Sequence, residues 1–183
     1  MNDKDLKIAK AGLAQFAKFG MRKTTMQDVA DAAGISRQTL YNRVPGKDEL
    51  LRLVAQHYFH DSIQRCAEAV AGVETLEGAL DLMIAHFAVE PWRTIKAMPE
   101  AEEIEMATHD VISKEVAEAT SQKCALATKV MSRFCNADDG AAIADFLCAA
   151  LSGIKSSAET EAHLRKLCAT LKQSIICLVA SSS

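Results

Sequence analysis

Proline and glycine are scarce in this chain, at three and eight of 183 residues, and aromatic side chains make up only 5%. So few breakers exclude a fold built on many tight turns, and no alternating run long enough for a strand occurs, which excludes a β-sandwich or barrel. Apolar runs stay short, as in 175–180, far below the roughly 20 residues that a membrane-crossing helix needs. The opening Met1-Asn2-Asp3-Lys4-Asp5 lacks the apolar core of a signal peptide, so a cytoplasmic location and no membrane partner are expected. Cysteines stand at 66, 124, 135, 148, 168 and 177, with no Cys-x-x-Cys pair and none at zinc-ligand spacing to a histidine. They read as free thiols, mostly small core residues. Cys124, beside Lys123, is a weak candidate for redox chemistry. His57 and His60, three apart with Asp61 adjacent, read as ordinary helix residues, so no metal is expected. Nucleophile elbow, P-loop and dinucleotide fingerprint are all missing; neither catalysis nor a cofactor is indicated.

What is abundant is Ala, Leu, Glu, Lys and Met, which favours an all-α fold. In 5–19, Leu6, Ala9, Leu13, Phe16 and Ala17 recur at helical steps, and Gly20 is placed to end that helix. Thr25, with Asp28 three residues on, looks like a capping pair for a short second helix over Met26–Ala33 that Gly34 ends. Ser36 caps a third helix over 37–43; Pro45-Gly46 breaks the chain, and Lys47 or Asp48 opens a long fourth. Beyond Gly72 the pattern predicts helices over 75–88, from Pro91 through Trp92 and Ile95, over 111–135, 141–155 and 160–179. The acidic run 100–105 reads as a solvated helix face, and 136–139 as the clearest loop. The expected architecture is a three-helix helix-turn-helix head (1–46) and a C-terminal helical bundle (47–183), about nine helices in all.

Two short helices joined by a glycine turn cannot bury themselves and need the first helix behind them. Val29, Ala33, Ile35 and Leu40 are placed to face Phe16, with Ala30 small where the helices approach. Arg37, Gln38, Thr39, Tyr41, Asn42 and Arg43 then remain on the outer face of the third helix. Arg pairs with guanine, Gln with adenine, and a Thr methyl contacts thymine. Charge agrees: residues 1–52 hold ten Lys and Arg against six Asp and Glu, while the rest holds eleven against eighteen. A basic head and an acidic body suit a polyanion bound at one end only.

Ile8, Ala11, Phe16 and Gly20 lead into Thr24-Thr25-Met26-Gln27-Asp28-Val29-Ala30 and Ala33-Gly34-Ile35-Ser36. Thr39-Leu40-Tyr41 and Pro45-Gly46-Lys47-Asp48-Glu49-Leu50-Leu51 follow. In this order and register, the stretch 8–51 resembles the DNA-binding domain of the TetR family of bacterial regulators. Departures are Arg43-Val44, where the family usually has an aromatic or His followed by Phe, and Gly12 and Gln15, which replace Ala and an apolar residue. The resemblance implies that Thr25 holds a phosphate, that Arg37, Gln38 and Thr39 read bases, and that Tyr41 and Asn42 contact phosphate or sugar. Lys47 would anchor the strand at the start of the fourth helix.

It also implies a dimeric regulator of a double-stranded operator, most simply a repressor that a small-molecule effector releases. Met83, His86, Phe87, Trp92, Met106, His109 and Met131 are the candidate effector contacts in the body. A homodimer needs a self-complementary face, for which the last two helices offer Ile143, Phe146, Leu147, Leu151, Leu164, Leu167, Leu171 and Ile175. The other function classes considered are a helical interaction module without DNA binding and, less well supported, an enzyme built on the body.

Overall fold

The computed structural model describes residues 2–99, 101 and 110–181, and among them every regular element is helical. In chain order these are α1 (Asp3–Phe19), α2 (Met26–Ala33), α3 (Arg37–Tyr41), α4 (Lys47–Ala71) and α5 (Leu76–Ile84). A π-helical turn (Ala85–Val89) leads to α6 (Glu90–Ala97); α7 (Ser113–Met131), α8 (Ala137–Ser157) and α9 (Glu161–Ser181) complete the chain. The all-α expectation holds. No helix among the described residues is long and apolar enough to cross a membrane.

Two compact units divide the chain, Met1–Asp61 with Thr94–Ala119 and Ser62–Arg93 with Thr120–Ser183. Pro45 and Gly46 end the helix-turn-helix motif, but packing carries the first unit on into α4. Its core joins Ile8, Ala11 and Phe16 of α1, Val29 and Ala30 of α2, Leu40 of α3, Val44, and Leu50, Leu51, Val54 and Ala55 of α4. α1 begins two residues before the periodic apolar pattern does. Asn2 caps it, its side chain accepting from the backbone N–H of Lys4 (3.1 Å) and Asp5 (2.9 Å). α3 stops at Tyr41, short of the expected 43. Val44 precedes a proline and is biased out of the helical region, so the chain tightens, with Arg43 and Val44 N–H both reaching the Leu40 carbonyl at 2.9 and 2.8 Å. Gly12 is a packing requirement: a Cβ there would stand 2.8 Å from Val54 Cγ2 and 3.2 Å from Leu50 Cδ1.

The second unit has its own core, with Met83, Phe87, Met131, Leu147, Leu151, Leu164 and Ile175 among the most buried side chains. Pro91 sits in the first turn of the short α6, as its position suggests, and that helix follows without a break from α5 and the π turn. In an α-helix its ring would meet the Phe87 carbonyl. The π turn widens the helix just ahead of it, with Glu90 N–H bonding back to Ala85 O, and buried Ser62 donates to the His86 carbonyl at 3.2 Å. The segment 136–139, expected as a loop, is instead the cap and first turn of α8. Asn136 Oδ1 accepts from Asp139 N–H at 3.0 Å, and Asp138 and Asp139 favour the positive helix end.

Arg93 and Arg165 converge on Glu161: Arg93 Nε donates at 2.8 Å and Arg165 Nε at 2.7 Å. They lower its carboxyl from 4.5 to about 2, chiefly through the Arg93 hydrogen bonds and then those of Arg165. A group depressed on folding contributes stability that is complete above its unfolded value and lost as pH falls through the folded one. Glu161→Gln should therefore destabilise the protein at neutral pH, with the gap to wild type closing between 4.5 and about 2. Thermal melts of both proteins across that range check this; a gap independent of pH would mean the ion pairs do not form in solution.

Candidate nucleic-acid interface

Three local devices build the surface of the first unit that carries α2 and α3. A capping box starts α2: Thr25 Oγ1 accepts from Asp28 N–H at 3.2 Å, and Asp28 Oδ2 accepts from Thr25 N–H at 2.8 Å. Thr25 Oγ1 also donates to Asp28 Oδ2 at 2.6 Å, the leading cause holding that carboxyl below its usual range. Gly34 then turns the chain in the left-handed region, at φ 67° and ψ 36°, which costs glycine little and any β-carbon more. Ser36 starts α3, its Oγ accepting from Thr39 N–H at 3.1 Å and sharing a 2.8 Å hydrogen bond with Thr39 Oγ1.

Packing fixes which way this short helix faces. Leu40, Val29 and Ala30 have no exposed surface and Phe16 almost none, while Ala33 and Ile35 are half-buried at the edge of the same core. The opposite face of α3 is polar: Arg37, Gln38, Tyr41 and Asn42 are exposed and Thr39 is half-buried. The Arg37 guanidinium carbon lies 5.3 Å from the centre of the Tyr41 ring, a cation–π contact that holds the two longest side chains of this face together. Lys47 Nζ donates to the Arg22 carbonyl at 2.9 Å, bringing the start of α4 beside the basic link between α1 and α2. Thus Thr25, Arg37, Gln38, Thr39, Tyr41, Asn42 and Lys47 all fall on the helix-turn-helix and its immediate continuation.

Sequence reasoning misses one brace. Arg43 Nη1 stands 3.1 Å from Asp5 Oδ1, so this arginine ties the end of α3 to α1. Its position and charge alone place it with the outward group; only the 38-residue separation from Asp5 closing in space reveals the pairing.

Residues 8–54 match the family model described as bacterial regulatory proteins, tetR family. Over these residues the chain is similar to that family. Over this head and a little beyond, the chain is 34% identical across 65 residues to the HTH-type transcriptional regulator YerO of Bacillus subtilis. It is 30% identical across 69 residues to the HTH-type transcriptional repressor KstR2 of Rhodococcus jostii. The matched segments span 36% and 38% of this chain but only 22% and 34% of those relatives. In fold the likeness runs the full length. The TetR family repressor AlkX from a Dietzia strain superposes with a TM-score of 0.70 at 19% identity, covering 97% of each chain. A TetR transcription regulator from Haloarcula marismortui gives 0.70 at 16%, covering 100% of this chain and 99% of its own.

Of the candidate effector contacts, Met83, Phe87 and Met131 lie in the core of the second unit, with Trp92 packed against it. Trp92 Nε1 donates to the Ala158 carbonyl at 3.3 Å. His86, on the π turn, has Nδ1 3.2 Å from Glu90 Oε2 but outside hydrogen-bond geometry, so the contact is an ion pair only when the ring is protonated. Met106 and His109, and with them most of the acidic run 100–105, lie outside the described residues. The residues expected to face a partner chain divide in two. Leu147, Leu151, Leu164, Leu171 and Ile175, and nearly all of Ile143, are filled into the chain's own core, Leu167 is half-buried, and Phe146 is 46% exposed. Leu178 of α9 is as exposed as Phe146, and the two flank an open groove of about 250 Å³ with Asp139, Ala142 and Ile143. Among the described residues no group of His, Cys, Asp and Glu is placed to hold a metal ion.

Leu40→Ala should lower the stability of the head by about 2–5 kcal/mol, the range for emptying a full leucine site. Chemical denaturation followed by circular dichroism measures it. A loss below about 1 kcal/mol, the size of a surface change, would mean α3 is not held by this side chain.

Proposed function

We propose that the protein is a dimeric, sequence-specific DNA-binding regulator of the TetR type, acting as a repressor that a small-molecule effector releases. The carrying observation is the orientation of α3: with Leu40 buried, Arg37, Gln38, Tyr41 and Asn42 form an exposed polar face that a major groove accepts. Arg37 and Gln38 are the base readers, for guanine and adenine edges. Thr39 commits its hydroxyl to Ser36, which leaves its methyl for thymine. Thr25, at the start of α2, and Lys47, at the start of α4, contact phosphate, with Tyr41 and Asn42 beside the sugar-phosphate strand. The repressor role is supported by the similarity to KstR2 and AlkX, both named as repressors.

Operator selection from random duplexes, followed by binding measured across salt concentrations, tests the DNA reading. Log affinity should fall linearly with log salt. Lys47→Ala should weaken binding to all sequences alike and reduce the slope by about one, whereas Arg37→Ala should cost about 1–3 kcal/mol at one base position only. A chain that binds no duplex, or binds with no salt dependence, is an interaction module instead.

Two copies are needed because one recognition helix reads too few base pairs, and paired heads reach successive major grooves. Phe146 and Leu178 on α8 and α9 are the large apolar side chains left exposed there, and they mark the contact. Light scattering should find the wild type dimeric and Phe146→Glu shifted to monomer, since a carboxylate buried at an apolar contact has no partner. A monomeric wild type, or a fully dimeric variant, rejects this face. The effector is placed in the second unit, against Met83, His86, Phe87, Trp92 and Met131. It acts by binding the operator-free state better than the operator-bound one.

A further inference from the structure

We propose that Lys23, in the link between α1 and α2, makes a phosphate contact of its own beside the one given to Lys47, so that this link is a further element of the DNA interface. This rests on the DNA reading above and adds a residue that neither the resemblance nor the polar face of α3 points to.

The link is a closed turn. Gly20 starts it at φ 83°, and Thr24, only 2% exposed, ends it. The Thr24 N–H and hydroxyl both donate to the Gly20 carbonyl, at 3.3 and 2.8 Å. Between them the Arg22 carbonyl accepts from Lys47 Nζ at 2.9 Å. That carbonyl belongs to the peptide bond into Lys23, so the Lys47 ammonium lies beside the backbone of Lys23. Lys23 itself is exposed, and two residues further on Thr25 caps α2. The backbone on both sides of Lys23 is therefore fixed, and ordering its side chain is the main conformational cost of using it.

Other cations of the head are already engaged. Arg43 stands 3.1 Å from Asp5, and Lys18 Nζ lies 4.9 Å from the centre of the Phe19 ring. Lys47 spends one of its three donors on the link and keeps two. Among the described residues the Lys23 ammonium has no hydrogen-bond or ion-pair partner. Thr25 cannot serve the start of α2 alone. Its N–H and hydroxyl both donate to Asp28 Oδ2, at 2.8 and 2.6 Å, so a phosphate receives the hydroxyl only if Asp28 gives it up. The Asp28 carboxylate is also a negative charge, which repels a phosphate. A cation at this end offsets that charge as well as holding the strand, and Lys23 stands two residues from Thr25 to supply it.

The test measures how the affinity of the full chain for its selected operator falls between about 50 and 200 mM salt. Each phosphate contact steepens the fall of log affinity with log salt by about 0.9. Lys23→Ala and Lys23→Gln should each remove about that much slope, so that the affinity lost across this range shrinks about threefold for every sequence. Lys23→Arg should keep the wild-type slope. Lys10→Ala is the control for a positive charge lost elsewhere on the head. Lys10 lies near enough to His57 to weigh on its charge, and His57 is about 15 Å along α4 from Lys47, so this variant should leave the slope unchanged. Lys23→Ala combined with Lys47→Ala should lose about 1.8, because two phosphates are held. A Lys23→Ala slope equal to wild type, an equal drop for Lys10→Ala, or a double variant that loses only about 0.9 overturns the proposal. A wild type that binds no duplex, or binds without salt dependence, removes the DNA reading and Lys23 with it. A steep wild-type slope that Lys47→Ala reduces and Lys23→Ala does not removes Lys23 alone.

Discussion

Leu40 has no exposed surface, and the direction in which α3 presents its polar side chains follows from that one burial. A five-residue helix is too short to hold itself, since nucleation is not repaid by so few hydrogen bonds. What fixes it is the leucine on one side and a cap at its start. Burying a leucine contributes about 1.5–3 kcal/mol and sets the rotation of the helix about its axis; the Ser36 cap sets where it begins. The Gly34 turn fixes the angle at which α3 leaves α2. Because the residues flanking Leu40 on a helix point away from it, the same constraint that buries one side chain exposes Arg37, Gln38, Tyr41 and Asn42. The exposed polar face proposed to read DNA is thus a consequence of core packing.

Three of the four departures of this head from the usual family pattern, Gly12, Arg43 and Val44, fall in one place. Gly12 on α1 admits Leu50 and Val54 of α4 at distances where a methyl group would collide. Val44, where the family usually has a phenylalanine, is only 3% exposed. A valine fills less volume than a phenylalanine, and the glycine lets α1 and α4 draw closer. Both changes are consistent with a smaller core beneath α3, kept at ordinary packing density. Arg43, the third of these, is taken up by Asp5 and closes the edge of that core instead of reaching outward.

How much of the fold and the site is legible in the sequence depends on range. Caps and turns are chemistry between residues two to four apart, so Thr25 with Asp28, Ser36, Gly20 and Gly34 can be placed from the residues alone. The start of α8 is easily misread because Asn136 with two following acids has the composition of a loop and also that of a cap; only its hydrogen bond to Asp139 N–H separates them. The π turn leaves no signal apart from Pro91. The proposed dimer face is hardest, because helical periodicity shows which residues are apolar but not whether their own chain or another covers them. Phe146 and Leu147 are neighbours in sequence with the same hydrophobic character, and one is 46% exposed while the other is completely buried.

Charge is read poorly by counting for a related reason. The region after residue 52 is acidic in sum, with eleven cations against eighteen anions, and at long range it should repel an anion. That field is damped within about 10 Å by ordinary salt, whereas a desolvated group responds to its immediate neighbours with little screening. Lys123 and Lys155 are lowered by burial, and Lys123 further by the charge of Lys155, so their immediate surroundings and not the sum of charges set how they titrate. A long aliphatic stem lets lysine contribute to an apolar wall, which is why neither residue disturbs the hydrophobic pattern. Net charge therefore describes the field of the chain at long range, and burial describes how an individual charged group within it behaves.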